Sequence, residues 1–414
     1  MIAAAFIGPG TVTTAASAGA SFQYQLIWAM VFSTIACLVL QESAARIAIV
    51  SGKSLGKAII ERFNEGGVAW LIAGSILLGC LAYEAGNILG AISGLALIVT
   101  GVPQWIFTLI IGSGAFIVLF FGKSANVANL LGVLVGVMGL AFMIAAFSAP
   151  LDITFLIKGA VIPAMPNDAV IITLGLIGTT IVPYNIFLGS SLAEGQDLKQ
   201  MRSGLSASVI LGGIISVCVI LVGAQLDTPF SFQALYEHLF QQNGQAMAIL
   251  FGVGLFGAGF TSTITASMAG ALTIKSVHPK GQNWNEKHRN YRLLWATVLF
   301  VGVVVGLSGL KPIPVIILAQ AANGLILPLL TYAIWLIVNS QLLGEHQNGR
   351  VANVFMAITL LVSTVLGLLN VLKASYSALG QSLDLKPTHI LLMVGLGLAI
   401  VIIGVLRIKA NSKP

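Results

Sequence analysis

Apolar residues in this chain come in long unbroken runs separated by short polar stretches, with neither the alternation of a half-buried strand nor the single stripe of a soluble amphipathic helix. A helix needs roughly 20 apolar residues to cross the hydrocarbon of a bilayer. Twelve runs reach or approach that length, near 3–21, 24–45, 67–99, 104–121, 127–147, 168–193, 203–224, 245–275, 291–310, 313–338, 352–372 and 388–408. Runs this long and continuous predict spanning helices, because barrel strands alternate in short segments. The gaps leave no room for a soluble domain. The pattern therefore predicts an all-α polytopic membrane protein, one transmembrane domain over residues 1–414.

Composition agrees. Of the 414 residues 57% are apolar and 8% charged, against about 25% charged in a soluble domain. The net charge of +7 comes from basic residues scattered between apolar runs, so no nucleic-acid surface is expected. The three cysteines, Cys37, Cys80 and Cys218, lie inside apolar runs and form neither a disulfide framework nor a zinc spacing. Counting twelve spans with both termini cytoplasmic puts sixteen of the 20 basic residues inside and only Lys158, Lys311, Lys373 and Lys386 outside. That is a strong positive-inside bias, expected of a multi-pass cell-membrane protein, and one span more or fewer early in the chain scrambles it.

Two runs are interrupted in related ways. The first reads Gly8-Pro9-Gly10-Thr11-Val12-Thr13-Thr14 and the sixth Gly178-Thr179-Thr180-Ile181-Val182-Pro183-Tyr184-Asn185. They stand five spans apart, and an odd offset gives them opposite orientations in the membrane. That predicts two inverted five-helix repeats, residues 1–147 and 168–338, with appended helices over 352–408. Broken helices expose carbonyls and helix termini to a shared cavity, the device by which such transporters hold an ion or small solute. Only Met1 to Ile7 precede the first Gly-Pro. At about 1.5 Å per residue they reach roughly 10 Å, so the first half-helix is expected to be truncated.

These motifs resemble the NRAMP (natural resistance-associated macrophage protein) divalent-metal transporters, a family with a LeuT-like fold. Gly8-Pro9-Gly10-Thr11 followed by Gly19-Ala20 resembles that family's first-helix Asp-Pro-Gly-Asn and Gly-Ala, and Pro183 with Asn185 resembles its sixth-helix Met-Pro-His-Asn. Further likenesses are Gln41 with Ala44-Ala45-Arg46, residues 259–270, and Gln320 with Pro328. The resemblance implies a substrate site at Gly8, Thr11, Thr179, Val182, Asn185 and Gln320. It also shows what has changed: the family's first-helix Asp and Asn and sixth-helix Met correspond here to Gly8, Thr11 and Val182, and its two sixth-helix histidines to Tyr184 and Gly189.

The remaining donors, Thr11, Thr13, Thr179, Thr180, Asn185 and Gln320, are neutral oxygens and amides. A thioether favours softer transition metals, and a dication usually draws on a carboxylate to offset lost hydration. The metal contacts expected are Thr11, Thr179 and Gln320. Such a site suits a weakly held hydrated cation, a neutral polar solute, or an anion at half-helix N-termini. Glu84 alone among the 13 acids falls mid-span, and an ionisable group there costs a few kcal/mol and is by default functional. By the resemblance it stands where the family has a third-helix Asp on its proton route, and Asn87 replaces the acid one turn on. Glu84 reads as a proton carrier or as the missing counter-charge, and a structural carboxyl is the plainer alternative.

No histidine lies mid-span, and nothing resembles a phosphate-binding P-loop. The basic stretch 275–292 reads as an inner loop, and the small residues of 259–270 as close helix packing, with Thr261, Ser262 and Thr265 as candidates to face a pathway. The leading expectation is a cofactor-free secondary transporter of a divalent cation, magnesium-like or manganese, coupled to protons. Transport of a small neutral or anionic solute and a non-transporting sensor are the alternatives. An enzyme is disfavoured, because no nucleophile–base constellation is present.

Overall fold

The computed structural model describes residues 7–63, 66–121, 124–148, 151–166, 168–378 and 387–411. The expected truncated half-helix falls on residues 1–6, outside the described residues, as do Lys123, Lys386 and Lys413 of the charge count. Every regular element among the described residues is a helix. Helix α1 spans Pro9–Phe22, α2 Ile27–Ser51, α3 Leu55–Phe63, α4 Gly66–Ile98, α5 Gln104–Phe121, α6 Ser124–Ser148 and α7 Ile153–Val161. Next come α8 (Val170–Thr180), α9 (Pro183–Ala193), α10 (Leu198–Gly223), α11 (Phe232–Asn243), α12 (Gln245–Val277), α13 (Arg289–Leu307), α14 (Pro312–Val338), α15 (Arg350–Ala378) and α16 (Pro387–Asn411).

Among the described residues ten segments are long and apolar enough to cross a membrane, with α8 and α9 together forming one. Helices α1 and α6 occupy the other two expected runs. Three short helices, α3, α7 and α11, lie where the run pattern leaves loops, because pieces of nine to twelve residues are far below spanning length. Large apolar side chains such as Phe121, Phe147, Leu391 and Ile402 stand exposed on the outside of the bundle. In water that surface would be a liability; against lipid tails it is the required one.

Without a hydrophobic drive between helices inside a bilayer, close backbone packing has to hold them, and glycines supply it here. At Gly19 an added Cβ would stand 2.1 Å from the Ile220 carbonyl oxygen, and at Gly223 2.4 Å from that of Ala16, so α1 and α10 cross backbone to backbone. Helix α4 meets α12 the same way, Gly94 against Phe256 and Gly259 against Ala91. Helix α4 also packs on α13 and α14, and α8 on α14. Both interrupted segments are thereby carried to the middle of the bundle.

A methyl group is enough to test the α1–α10 crossing. Gly223→Ala is expected to lower the melting temperature of the purified protein clearly, since overpacking costs about 1–3 kcal/mol. Gly189→Ala, where a Cβ meets nothing within 4 Å, is expected to leave it unchanged or raise it. Equal behaviour of the two variants would contradict the crossing.

Candidate functional site

Proline sets both interruptions. Helix α1 begins at Pro9, and Gly8 before it is extended (φ −99°, ψ 176°) with no side chain to cap the helix. Helix α8 ends at Thr180; Ile181 and Val182 leave helical geometry, and α9 starts afresh at Pro183. Pro183 has no N–H, so the Thr179 carbonyl loses its normal i+4 donor. The neighbouring carbonyls find substitutes from other helices: the Tyr83 hydroxyl donates to Gly178 O at 2.7 Å, and the Cys37 thiol to Thr180 O at 3.2 Å.

The two interruptions meet. The hydroxyls of Thr11 and Thr179, 168 residues apart, are hydrogen-bonded at 3.0 Å. Gln320 of α14 closes the third side. Its amide lies over Gly10, where a Cβ would stand 1.8 Å from Nε2, and its backbone oxygen lies 2.0 Å from where Gly178 would carry one. Pro9 packs on Gly90 of α4, and the Ser262 hydroxyl of α12 stands 3.3 Å from a Cβ placed on Gly8. Thr11, Thr179 and Gln320 are all buried, and Gln320 Oε1 has no hydrogen-bond partner among the described residues. The space between the breaks is closed, and its oxygens are neutral.

The expected site residues thus divide. Gly8, Thr11, Thr179 and Gln320 converge, joined by Ser262. Val182 sits in the apolar core at the start of α9, and Asn185 is buried one turn on. Helix α9, which begins just after Val182 and carries Asn185, packs chiefly on α2 and α12. Thr180 bonds back to the Leu176 carbonyl and contacts Met30, and Thr14 bonds back to Gly10 O. Thr261 and Thr265, candidates for a pathway, spend their hydroxyls on carbonyls of their own helix. Tyr184 stacks edge-on against Tyr83 at 5.4 Å, and Gly189 lines a cleft of about 400 Å³ with Gln41, Gln196 and Gln200.

Glu84 is fully buried in α4. Its side chain packs on Gly302 of α13, where a Cβ would stand 2.6 Å from Glu84 Cγ. Ser267 of α12 and Asn87 flank the carboxyl, and Tyr184 faces Asn87. Ser267 and Asn87 both stand near enough to bond to it, although neither Glu84 oxygen closes a hydrogen bond of good geometry among the described residues. Tyr83 was not singled out by sequence reasoning, although it adjoins Glu84. It links this region to the break by donating to Gly178 and stacking on Tyr184. Among the described residues no three His, Cys, Asp or Glu side chains gather as a metal cluster.

Comparison with known proteins gives one consistent picture. The Nramp family model (natural resistance-associated macrophage protein-like) matches residues 1–373. A divalent metal cation transporter, MntH of Erwinia tasmaniensis, is 26% identical over 379 residues, covering 86% of this chain and 89% of its own. The crystal structure of the Eremococcus coleocola manganese transporter, in complex with an aromatic bis-isothiourea substituted compound, superimposes with a TM-score of 0.75 at 19% identity, over 99% of this chain and 94% of that one. Mhp1, a nucleobase-cation-symport-1 family transporter in a closed conformation, superimposes at 0.61 and 16% identity, over 100% and 92%. The shared fold is the broken-helix, LeuT-like arrangement.

The Thr11–Thr179 bond is open to a double-mutant cycle. Thr11→Val and Thr179→Val are each expected to destabilise the protein, and together by less than their sum, with a coupling of about 1 kcal/mol in thermal or denaturant unfolding. Additive losses would mean that the hydroxyls do not bond.

Proposed function

The chain belongs to the Nramp family, and from that premise we propose that it is a secondary transporter that moves a divalent metal cation across the membrane by alternating access. The family relative named a divalent metal cation transporter supports the substrate class. One structural observation carries the mechanism: the interruptions of α1 and α8–α9 close on each other through Thr11 and Thr179, with Gln320 against both. In this reading residues 1–147 and 168–338 are the inverted repeats, 352–408 the appended helices, and both termini are cytoplasmic. Helices α1, α8 and α9 rock against α4 and α12, and the closed contact is the occluded stage between two open ones.

The donors decide which ion. Thr11 and Thr179 offer hydroxyls and a carbonyl without a backbone donor, and Gln320 offers an unpartnered amide oxygen. Sulfur is absent, because Val182 stands where a methionine would supply it. Oxygen donors suit hard ions, and magnesium keeps several waters rather than shedding them all. A magnesium-like, partly hydrated ion is therefore favoured over manganese. Proton coupling runs through Glu84, whose carboxyl is linked to the break by Asn87, Tyr184 and Tyr83. The neutrality of the donor set favours one further reading, a small neutral polar solute as cargo on the same scaffold.

Uptake into proteoliposomes separates the two. Magnesium uptake above empty-vesicle background, accelerated by an inward proton gradient and not outcompeted by equal manganese, is the expected result. Metabolite uptake without any response to divalent ions would replace it with the solute reading. Glu84→Gln is expected to keep downhill metal flux while losing the acceleration by the gradient; an unchanged response to pH would remove Glu84 from the coupling. Restoring Gly8→Asp, Thr11→Asn and Val182→Met together is expected to raise manganese affinity at least about tenfold by adding charge and a soft donor. No gain would break the assignment of these positions.

A further inference from the structure

The surroundings of Glu84 hold more than a proton needs. Gly259 of α12 packs on Asn87 and Ala91, and Gly270 packs on Leu77 and Cys80. The helices therefore run antiparallel at this level, and Thr263 and Ser267, one turn apart between those glycines, come level with Glu84 and Asn87. Both side chains are fully buried, and neither hydroxyl has a hydrogen-bond partner among the described residues. This is unusual for helical Ser and Thr. Thr261, Thr265 and Thr273 on the same helix all bond back to its carbonyls. The Asn87 amide nitrogen is likewise unpartnered, as are both Glu84 oxygens. Ser267 and Asn87 stand within reach of the Glu84 carboxyl, yet none of these groups closes a bond of good geometry in the dry interior.

We infer that this cluster is a second ion site, in which the Glu84 carboxylate, the Thr263 and Ser267 hydroxyls and the amide oxygen of Asn87, its amide turned from the orientation seen here, coordinate one monovalent alkali cation of sodium size, in exchange for a proton. The geometry favours an ion over a direct hydrogen bond. Oxygens about 2.4 Å from a central cation stand about 3.4 Å from one another, at the edge of hydrogen-bond reach, so a set built for a cation converges without closing its own bonds. Charge selects the valence. One carboxylate among neutral hydroxyls and amides balances a single positive charge, whereas a dication would leave one buried and unpaired. Gly302 lets α13 lie directly over the Glu84 stem, sealing that side.

The groups that face the carboxyl are Cys80 and Tyr83 of α4, Tyr184 of α9, Thr263 and Ser267 of α12, and Asn323 of α14 beyond Tyr83. None is cationic, so nothing in this set competes with an incoming ion. Proton and alkali cation bind the same oxygens and exclude each other. The inference shares Glu84 with the transport proposal and otherwise stands apart from it, since binding is measured without flux.

The test is radioactive sodium binding to the purified protein in detergent at pH 8, by scintillation proximity, with potassium and choline as competitors. Saturable binding of one sodium per chain is expected, abolished by Glu84→Gln and weakened at least about tenfold by Ser267→Ala or Thr263→Val. Apparent affinity is expected to fall toward tenfold per pH unit as protons occupy the carboxylate. Thermal melting of each variant checks folding, and Ser267→Ala keeps Glu84 in place should Glu84→Gln be unstable. Absence of saturable binding to the wild-type protein, or equal binding by Ser267→Ala and wild type, would overturn the site. Proton-responsive metal uptake by a protein that binds no sodium would overturn this inference and leave the transport proposal standing. Sodium binding lost in Glu84→Gln, in a protein that moves no metal, would do the reverse.

Discussion

A backbone that leaves helical geometry inside a bilayer must satisfy its freed polar groups from the protein itself, because lipid offers no partner. Here that requirement falls on two places at once, Gly8-Pro9 and Ile181-Val182-Pro183. Side chains from helices distant in the sequence meet it: Tyr83 of α4 serves Gly178, Cys37 of α2 serves Thr180, and Thr11 of α1 meets Thr179. Gly19, Gly223 and Gly178 make the approach possible by removing the atoms that would block it. Satisfying the breaks and building the chamber are the same act.

The chemistry of the chamber follows from what fills it. With hydroxyls, a carbonyl and an amide oxygen, the break region offers no fixed negative charge, and the interior carboxylate of Glu84 packs against α12 and α13. In the proposed transporter, substrate contact and charge compensation fall on different helix pairs. A site of this kind binds weakly and releases easily, which suits an abundant hard ion better than a scarce soft one.

Much of this can be read from residue order alone, because the physics involved is local. Twelve apolar runs and two Gly- or Pro-marked interruptions mark the spans and breaks, and the resemblance at Gly8-Pro9-Gly10 and Pro183-Tyr184-Asn185 names the family. What residue order does not determine is which side of a helix faces which neighbour. Residue order singles out Thr261, Ser262 and Thr265, yet Thr261 and Thr265 bond to carbonyls of their own helix, and it is Ser267 that stands beside Glu84. The motif groups Val182 and Asn185 with Thr11, and the turn of chain at Ile181 sets Val182 at the cap of a fresh helix with Asn185 inside its first turn. Glu84 was found by its charge; Tyr83, its neighbour, carries no such signal, because a mid-span tyrosine is ordinary until its hydroxyl is seen to reach a carbonyl on another helix.

The meeting of the breaks is tested most directly by covalent chemistry across them. In a chain with Cys37, Cys80 and Cys218 replaced by serine, Thr11→Cys and Thr179→Cys place two thiols where hydroxyls now stand 3.0 Å apart. Mild oxidation in native membranes is predicted to join them, giving a cross-linked peptide pair by mass spectrometry and resistance to maleimide until reduction. Two thiols that both take maleimide freely after oxidation, with no linked peptide, would contradict the account.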